Sequence, residues 1–282
     1  MWLIPAFLCL IFSCFMTVWN QHIRMPALQL NLVRCVVISV MFGVALPFIE
    51  WPVGMAFYSG AIVAGIASAV TTTSLFYGAK EHSAHLASLF MPLAMIFTFA
   101  LWLFIGEGRW AWLAHHPVNA VVIMAAMIVA NITVFKMRHI RFTHTSFVGL
   151  VVLNAVMIGL SQIWVKKTVD DTLDAMVMLS FVIFLSQVVC TALWMRFKNI
   201  PIEPLRINRN IVVLSVVSAL SCLCSWYAVL LAADPSYVTA VLLAAPFLLM
   251  LYHRAMKHDI SQSLIPGAII TLCSFVIVLF SL

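Results

Sequence analysis

The polar residues of this chain are few, and those inside its apolar runs fall at helical spacing. His85, Ser88 and Pro92 stand at i, i+3 and i+7, which is one face of a helix. Ser236 and Thr239 are three apart, and Pro246 follows Thr239 by seven. Asn154 and Ser161 are also seven apart, with Gln162 on the flank, and they make the most polar face of their run. Trp226, Tyr227 and Tyr237 cluster around one helix connection. Such groups can hydrogen-bond or stack against a ligand, or they can hold neighbouring helices together at ~0.6 kcal/mol per pair. The aromatics read either as an interfacial belt or as a stacking wall. His85 reads either as an interfacial histidine or as part of a polar face shared with Ser88. Pro92 and Pro246 each remove an intrahelical hydrogen bond, so they kink their helices.

Bond-making chemistry has little support. There is no H-E-x-x-H, no G-x-S-x-G, no P-loop and no facing pair of carboxylates. The seven cysteines lie in apolar runs without a C-x-x-C pair and read as small buried hydrophobes, with neither disulfides nor a zinc site. His115-His116 and His139…His144 have no acidic or cysteine partner at ligand spacing. The expectation is therefore no enzyme, no cofactor and no metal. Glu50, Glu107 and Asp234 lie near helix ends, so no carboxylate occupies the middle third of a span. Arg34, within two turns of the start of its run, is expected to snorkel to the headgroups.

The elements that must position these residues follow from composition. The 282 residues are 65% hydrophobic and 9% charged, with mean hydropathy +1.12. A globular domain in water carries about 25% charged residues. A chain this apolar needs lipid as its solvent, and each crossing of ~30 Å takes roughly 20 residues. Spans are expected at about 2–19, 28–48, 53–77, 83–106, 117–136, 146–165, 173–195, 210–231, 235–253 and 262–281. They must be helices, because backbone polar groups in hydrocarbon need internal partners. The first run lacks a basic segment before it and reads as a retained helix. The net charge of +6 is spread over loops rather than along a basic stripe, which argues against nucleic acid.

Two stretches repeat. S-A-H-L-A-S-L-F-M-P at 83–92 and Y-V-T-A-V-L-L-A-A-P at 237–246 each lead into a span and carry a proline about ten residues in. Tyr77 and Tyr227 precede them, and Trp19 matches Trp164, all at about half-chain spacing. Five spans per copy is odd, so the second copy must be inverted, an arrangement common in secondary transporters. The expected fold is all-α and membrane-integral, with ten transmembrane helices in two inverted five-helix repeats, 1–141 and 142–282.

Y-G-A-K-E-H-S-A-H-L-A-S-L-F-M-P-L at 77–93 and F-I-G-E-G-R-W at 104–110 resemble the helix 3–4 signature of the drug/metabolite transporter superfamily, specifically its EamA-like group. Y-A-V-L-L-A-A-D-P-S-Y-V-T-A-V-L-L-A-A-P at 227–246 is similar to its second copy, and Arg34 sits where that group often has an arginine. One departure is H-R-A-M-K-H at 253–258, where the first copy has Gly106-Glu107. The resemblance implies a multi-pass protein of the bacterial inner membrane that moves small metabolites. The expected function is a secondary transporter, with export the expected direction, of a small polar or amphipathic compound such as an amino-acid-like one. The alternatives are a multidrug or lipid-linked-sugar transporter on the same scaffold, or a membrane enzyme or assembly subunit. Its partners would be that small-molecule substrate and the lipid bilayer, in a monomer or homodimer. The substrate-contacting set is expected to be His85, Ser88, Asn154, Ser161, Gln162, Trp226, Ser236, Tyr237 and Thr239.

Orientation divides two arguments. With ten spans, the odd-numbered loops hold eleven Lys and Arg residues, including Arg24, Arg138, Arg141 and Arg196, against three in the even-numbered loops. Positive loops stay cytoplasmic, which turns both termini outward; the family resemblance implies cytosolic termini instead. The charge count is the property of this chain, so alkaline phosphatase fused after Leu282 is expected to be active. A fluorescent green fluorescent protein at the same point would reverse the assignment.

Overall fold

A computed structural model describes residues 1–23, 25–81, 91–106, 108–136, 145–170, 172–202, 207–256 and 264–281. Every regular element among them is helical. The helices are α1 (Leu3–Gln21), α2 (Ala27–Gly43), α3 (Met55–Glu81), α4 (Met91–Ile105), α5 (Arg109–His115) and α6 (Pro117–Lys136). They continue with α7 (Thr145–Thr168), α8 (Leu173–Phe197), α9 (Arg209–Leu231), α10 (Pro235–Leu242), α11 (Ala245–Ala255) and α12 (Ile265–Ser281). A 3-10 turn, Leu46–Phe48, follows α2.

Six helical stretches are long and apolar enough to cross a membrane: Leu3–Gln21, Ala27–Phe48, Met55–Ser74, Leu173–Phe197, Arg209–Leu231 and Pro235–Ala255. Shorter apolar helices occupy Met91–Ile105, Pro117–Thr133 and Ile265–Phe280. The chain is thus an all-α protein with the character of a multi-pass membrane protein. Large apolar side chains such as Phe7, Ile11, Phe104, Leu193, Leu272 and Phe275 remain exposed, as lipid-facing positions require.

Three expectations change in detail. The span at 235–253 is two helices, broken at Leu243–Ala244, and Pro246 sits in the first turn of α11 rather than inside a continuous helix. A proline there lacks only an amide that the first turn leaves unpaired anyway. The connection expected around Arg109–His115 forms the short helix α5. Lys166 and Lys167, expected in a loop, occupy the last turn of α7.

Polar side chains hold the helix ends. Thr172 Oγ1 accepts from the Ala175 amide at 3.3 Å, and Asn208 Oδ1 accepts from the Ile211 amide at 3.0 Å. Asp234 Oδ1 accepts from the Ser236 amide at 2.8 Å and so caps α10. At the facing end of α9, Lys166 Nζ donates to the carbonyls of Val229, Leu230 and Ala232 at 3.2, 2.9 and 2.6 Å. A cation there meets the negative end of the helix dipole.

Neighbouring helices pack as α1 on α9, α3 on both α7 and α8, α2 on α8, α4 on α7 and on α10, and α6 on α12. Small residues allow the closest approaches. The α3 face carries Ala61, Ala64 and Ala67, all buried. A Cβ on Gly65 would lie 2.5 Å from Ser186 Cβ and 2.8 Å from the Ile183 carbonyl oxygen. Backbone cannot yield as a flexible side chain does, so Gly65→Val is expected to overpack the α3–α8 contact by roughly 1–3 kcal/mol. Thermal unfolding in detergent should fall by several degrees, whereas the exposed Leu193→Ala should leave it nearly unchanged.

Candidate functional site

A cavity of about 210 Å³ lies between the helices, lined from α1, α2, α3, α4, α7, α8, α9, α10 and α11. Its polar wall is built by helical spacing. Ser13 and Thr17 on α1 are at i and i+4; Ser68, Thr71 and Thr72 on α3 are at i, i+3 and i+4. Ser218, Ser221, Cys222 and Ser225 on α9 are at i, i+3, i+4 and i+7. Ser161 and Gln162 come from α7, Gln187 from α8, Thr239 from α10 and Arg34 from α2. Trp226, Phe184, Met91, Ile158 and Leu242 supply apolar wall. None of these lining residues is acidic.

Gln162 ties three helices together. Its Oε1 accepts from Thr98 Oγ1 of α4 at 3.3 Å and from Thr239 Oγ1 of α10 at 3.2 Å. The Thr98 hydroxyl also reaches the Ala94 carbonyl at 2.8 Å. Gly159, three residues before Gln162, lets α7 approach α4 here: a Cβ on it would meet Thr98 Oγ1 at 3.1 Å. Across the cavity, Ser13 Oγ and Ser221 Oγ are 3.0 Å apart and join α1 to α9.

The second polar centre surrounds Arg34. Its side chain is 3% exposed, enclosed by protein rather than reaching for headgroups. Asn31 Oδ1 accepts from Nη2 at 2.7 Å and Gln187 Oε1 at 3.1 Å. Asn31 is itself fixed, donating through Nδ2 to Thr73 Oγ1 and Thr191 Oγ1 at 3.2 and 3.1 Å. The Phe76 and Phe184 rings lie 5.4 and 5.6 Å from the guanidinium carbon. Snorkelling fails because Asn31, Arg34 and Cys35 share the α2 face that packs on α8, so the side chain has no path to the headgroups.

The expected contact residues divide. Ser161, Gln162, Trp226 and Thr239 line the cavity. Asn154, Ser236 and Tyr237 are buried but do not line it; Tyr237 packs on Trp2 with ring centroids 6.3 Å apart. Trp226 and Tyr227 separate: Trp226 is 7% exposed and walls the cavity, whereas Tyr227 is 44% exposed and suits a belt position. Pro92 is buried, and its carbonyl accepts from Asn131 Nδ2 at 3.0 Å. His85 and Ser88 lie outside the described residues. Sequence reasoning missed Arg34, Gln187, the α3 hydroxyls and the α9 serines. The serine spacing was a usable signal, of the same kind as Asn154 with Ser161.

No group of three His, Cys, Asp or Glu side chains among the described residues could hold a metal ion. What the arrangement can do is bind a small ligand through hydroxyl, amide, indole and guanidinium groups. Gln162→Ala is expected to lower stability by roughly 1–2 kcal/mol, since two interhelical bonds and some packing are lost. Denaturation in detergent measures it, with the outward Tyr227→Ala as the near-neutral control.

Comparison with known proteins gives no family model and no curated protein that matches the sequence.

Proposed function

We propose that this chain is a secondary transporter of a small polar or amphipathic metabolite, such as an amino-acid-like compound. The substrate binds in the central cavity, and ten spans in two inverted halves, 1–141 and 142–282, expose it alternately to either side. The observation that carries the reading is the convergence of hydroxyls, two glutamines and an arginine on one interior cavity of an otherwise apolar helical protein. Polar and charged groups inside a membrane are costly, and they mark substrate pathways.

The packing pattern supports the two-halves part of this reading. Exchanging each helix with its counterpart five spans away turns the α1–α9 contact into the α7–α3 contact. The same exchange turns α3–α8 into α9–α2, and α4–α7 into the packing of α10 and α11 on α1. The α2–α8, α4–α10 and α6–α12 contacts map onto themselves. Among the described residues the cavity lining holds no acid, which favours a metabolite over a multidrug cation, since such a cation would call for a carboxylate partner.

Alternating access has a direct test. In a chain whose seven cysteines are replaced, Ser225→Cys is expected to react with a membrane-impermeant thiol reagent applied from either side of oriented vesicles. Reaction from neither side, or from one side under every condition, would refute transport through this cavity.

A further inference from the structure

Among the described residues, no acidic side chain pairs with the positive charge that Arg34 brings to the cavity. Arg34 is 3% exposed and lies seven residues into α2, roughly 10 Å along the helix from Ala27. A guanidinium stays protonated even when buried. Among the described residues, the two Nη2 hydrogens go to Asn31 Oδ1 and Gln187 Oε1, which are neutral acceptors, and the Cys35 sulfur lies 3.4 Å from the same nitrogen. Its Nε is buried with no acceptor. Thr71, which lines the same cavity, also has a buried hydroxyl without a partner. An isolated buried charge is strongly unfavourable unless paired, and unmet donors add to that cost. Phe76 and Phe184 steady the cation by their ring faces but offer no hydrogen-bond acceptor.

We propose that Arg34 is the docking point for a carboxylate of the substrate, so that the transported compound is a small organic acid or an amino acid presenting its carboxylate to α2. A carboxylate supplies the missing opposite charge and can accept from the guanidinium donors that Asn31 and Gln187 leave over. The charge that the neutral partners leave unbalanced is then paired inside the cavity. Asn31 and Gln187 hold the guanidinium in place from the Nη2 side, so Arg34 is oriented before the ligand arrives.

This assignment rests on the central cavity being the transport site, and the experiment separates the two. Purified protein is titrated with N-acetyl-L-leucine and N-acetyl-L-phenylalanine, each beside its neutral amide, and with the cation L-leucinamide, while thermal unfolding is followed. The expected result is stabilisation by at least one acid and by neither amide nor cation. Arg34→Gln should weaken that acid about tenfold to a hundredfold. Arg34→Lys should retain part of the binding, since it keeps the charge and loses guanidinium donors. Thr71→Val provides a milder variant with the same direction. Stabilisation by amide or cation, or by an acid equally in Arg34→Gln, overturns the carboxylate assignment, as does the absence of any stabilisation. Two-sided labelling of Ser225→Cys in oriented vesicles would then leave the transport reading standing, and its loss would remove both.

Discussion

A polar group in hydrocarbon must find its partner inside the protein, and the rest of this molecule follows from that requirement. It makes every described element a helix. It explains why Lys166 lies against three carbonyls at the end of α9 and why Asp234 closes the start of α10. It also gathers hydroxyls and amides on interior faces, where they bond one another or line the cavity between the helices. Without that rule, Gln162 would be a polar blemish on an apolar helix. With it, Gln162 becomes the junction of α4, α7 and α10.

The same requirement separates what the sequence could tell from what it could not. Long apolar runs announce themselves by length, and most of the expected spans coincide with helices to within a few residues. Ser161 and Thr239 line the cavity, but their partners at seven-residue spacing, Asn154 and Pro246, do not. Asn154 is buried away from it, and a helix break separates Pro246 from Thr239. Periodicity says which residues share a face; it does not say what that face meets. Arg34 shows the limit most clearly. Judged by its distance from the helix end, it should reach for headgroups, yet α8 blocks that route and supplies Gln187 as a partner. That partner is 153 residues away in the chain, beyond any local pattern.

Pro246 teaches the converse lesson. A proline in a long apolar run reads as a kink within one helix. Here the run is already interrupted at Leu243–Ala244, and the proline opens the next segment. The local chemistry was legible, but the turn that precedes it was not, because Leu-Leu-Ala-Ala carries no turn residue. The break depends on surroundings that only the fold supplies: Tyr237 through Leu243 are buried on every side, so α10 is enclosed by protein and not by lipid. Interrupted helices at membrane depth are tolerated only in such shelter.

That interruption divides the cavity wall between two bodies. Leu242, at the end of α10, and Ala245, at the start of α11, both belong to the wall, one on each side of the break. A continuous helix would carry a shift at one of them along to the other. Two segments joined by a turn do not, so substitutions along α11 could retune what fits in the cavity while α10, buried throughout, kept Thr239 on Gln162.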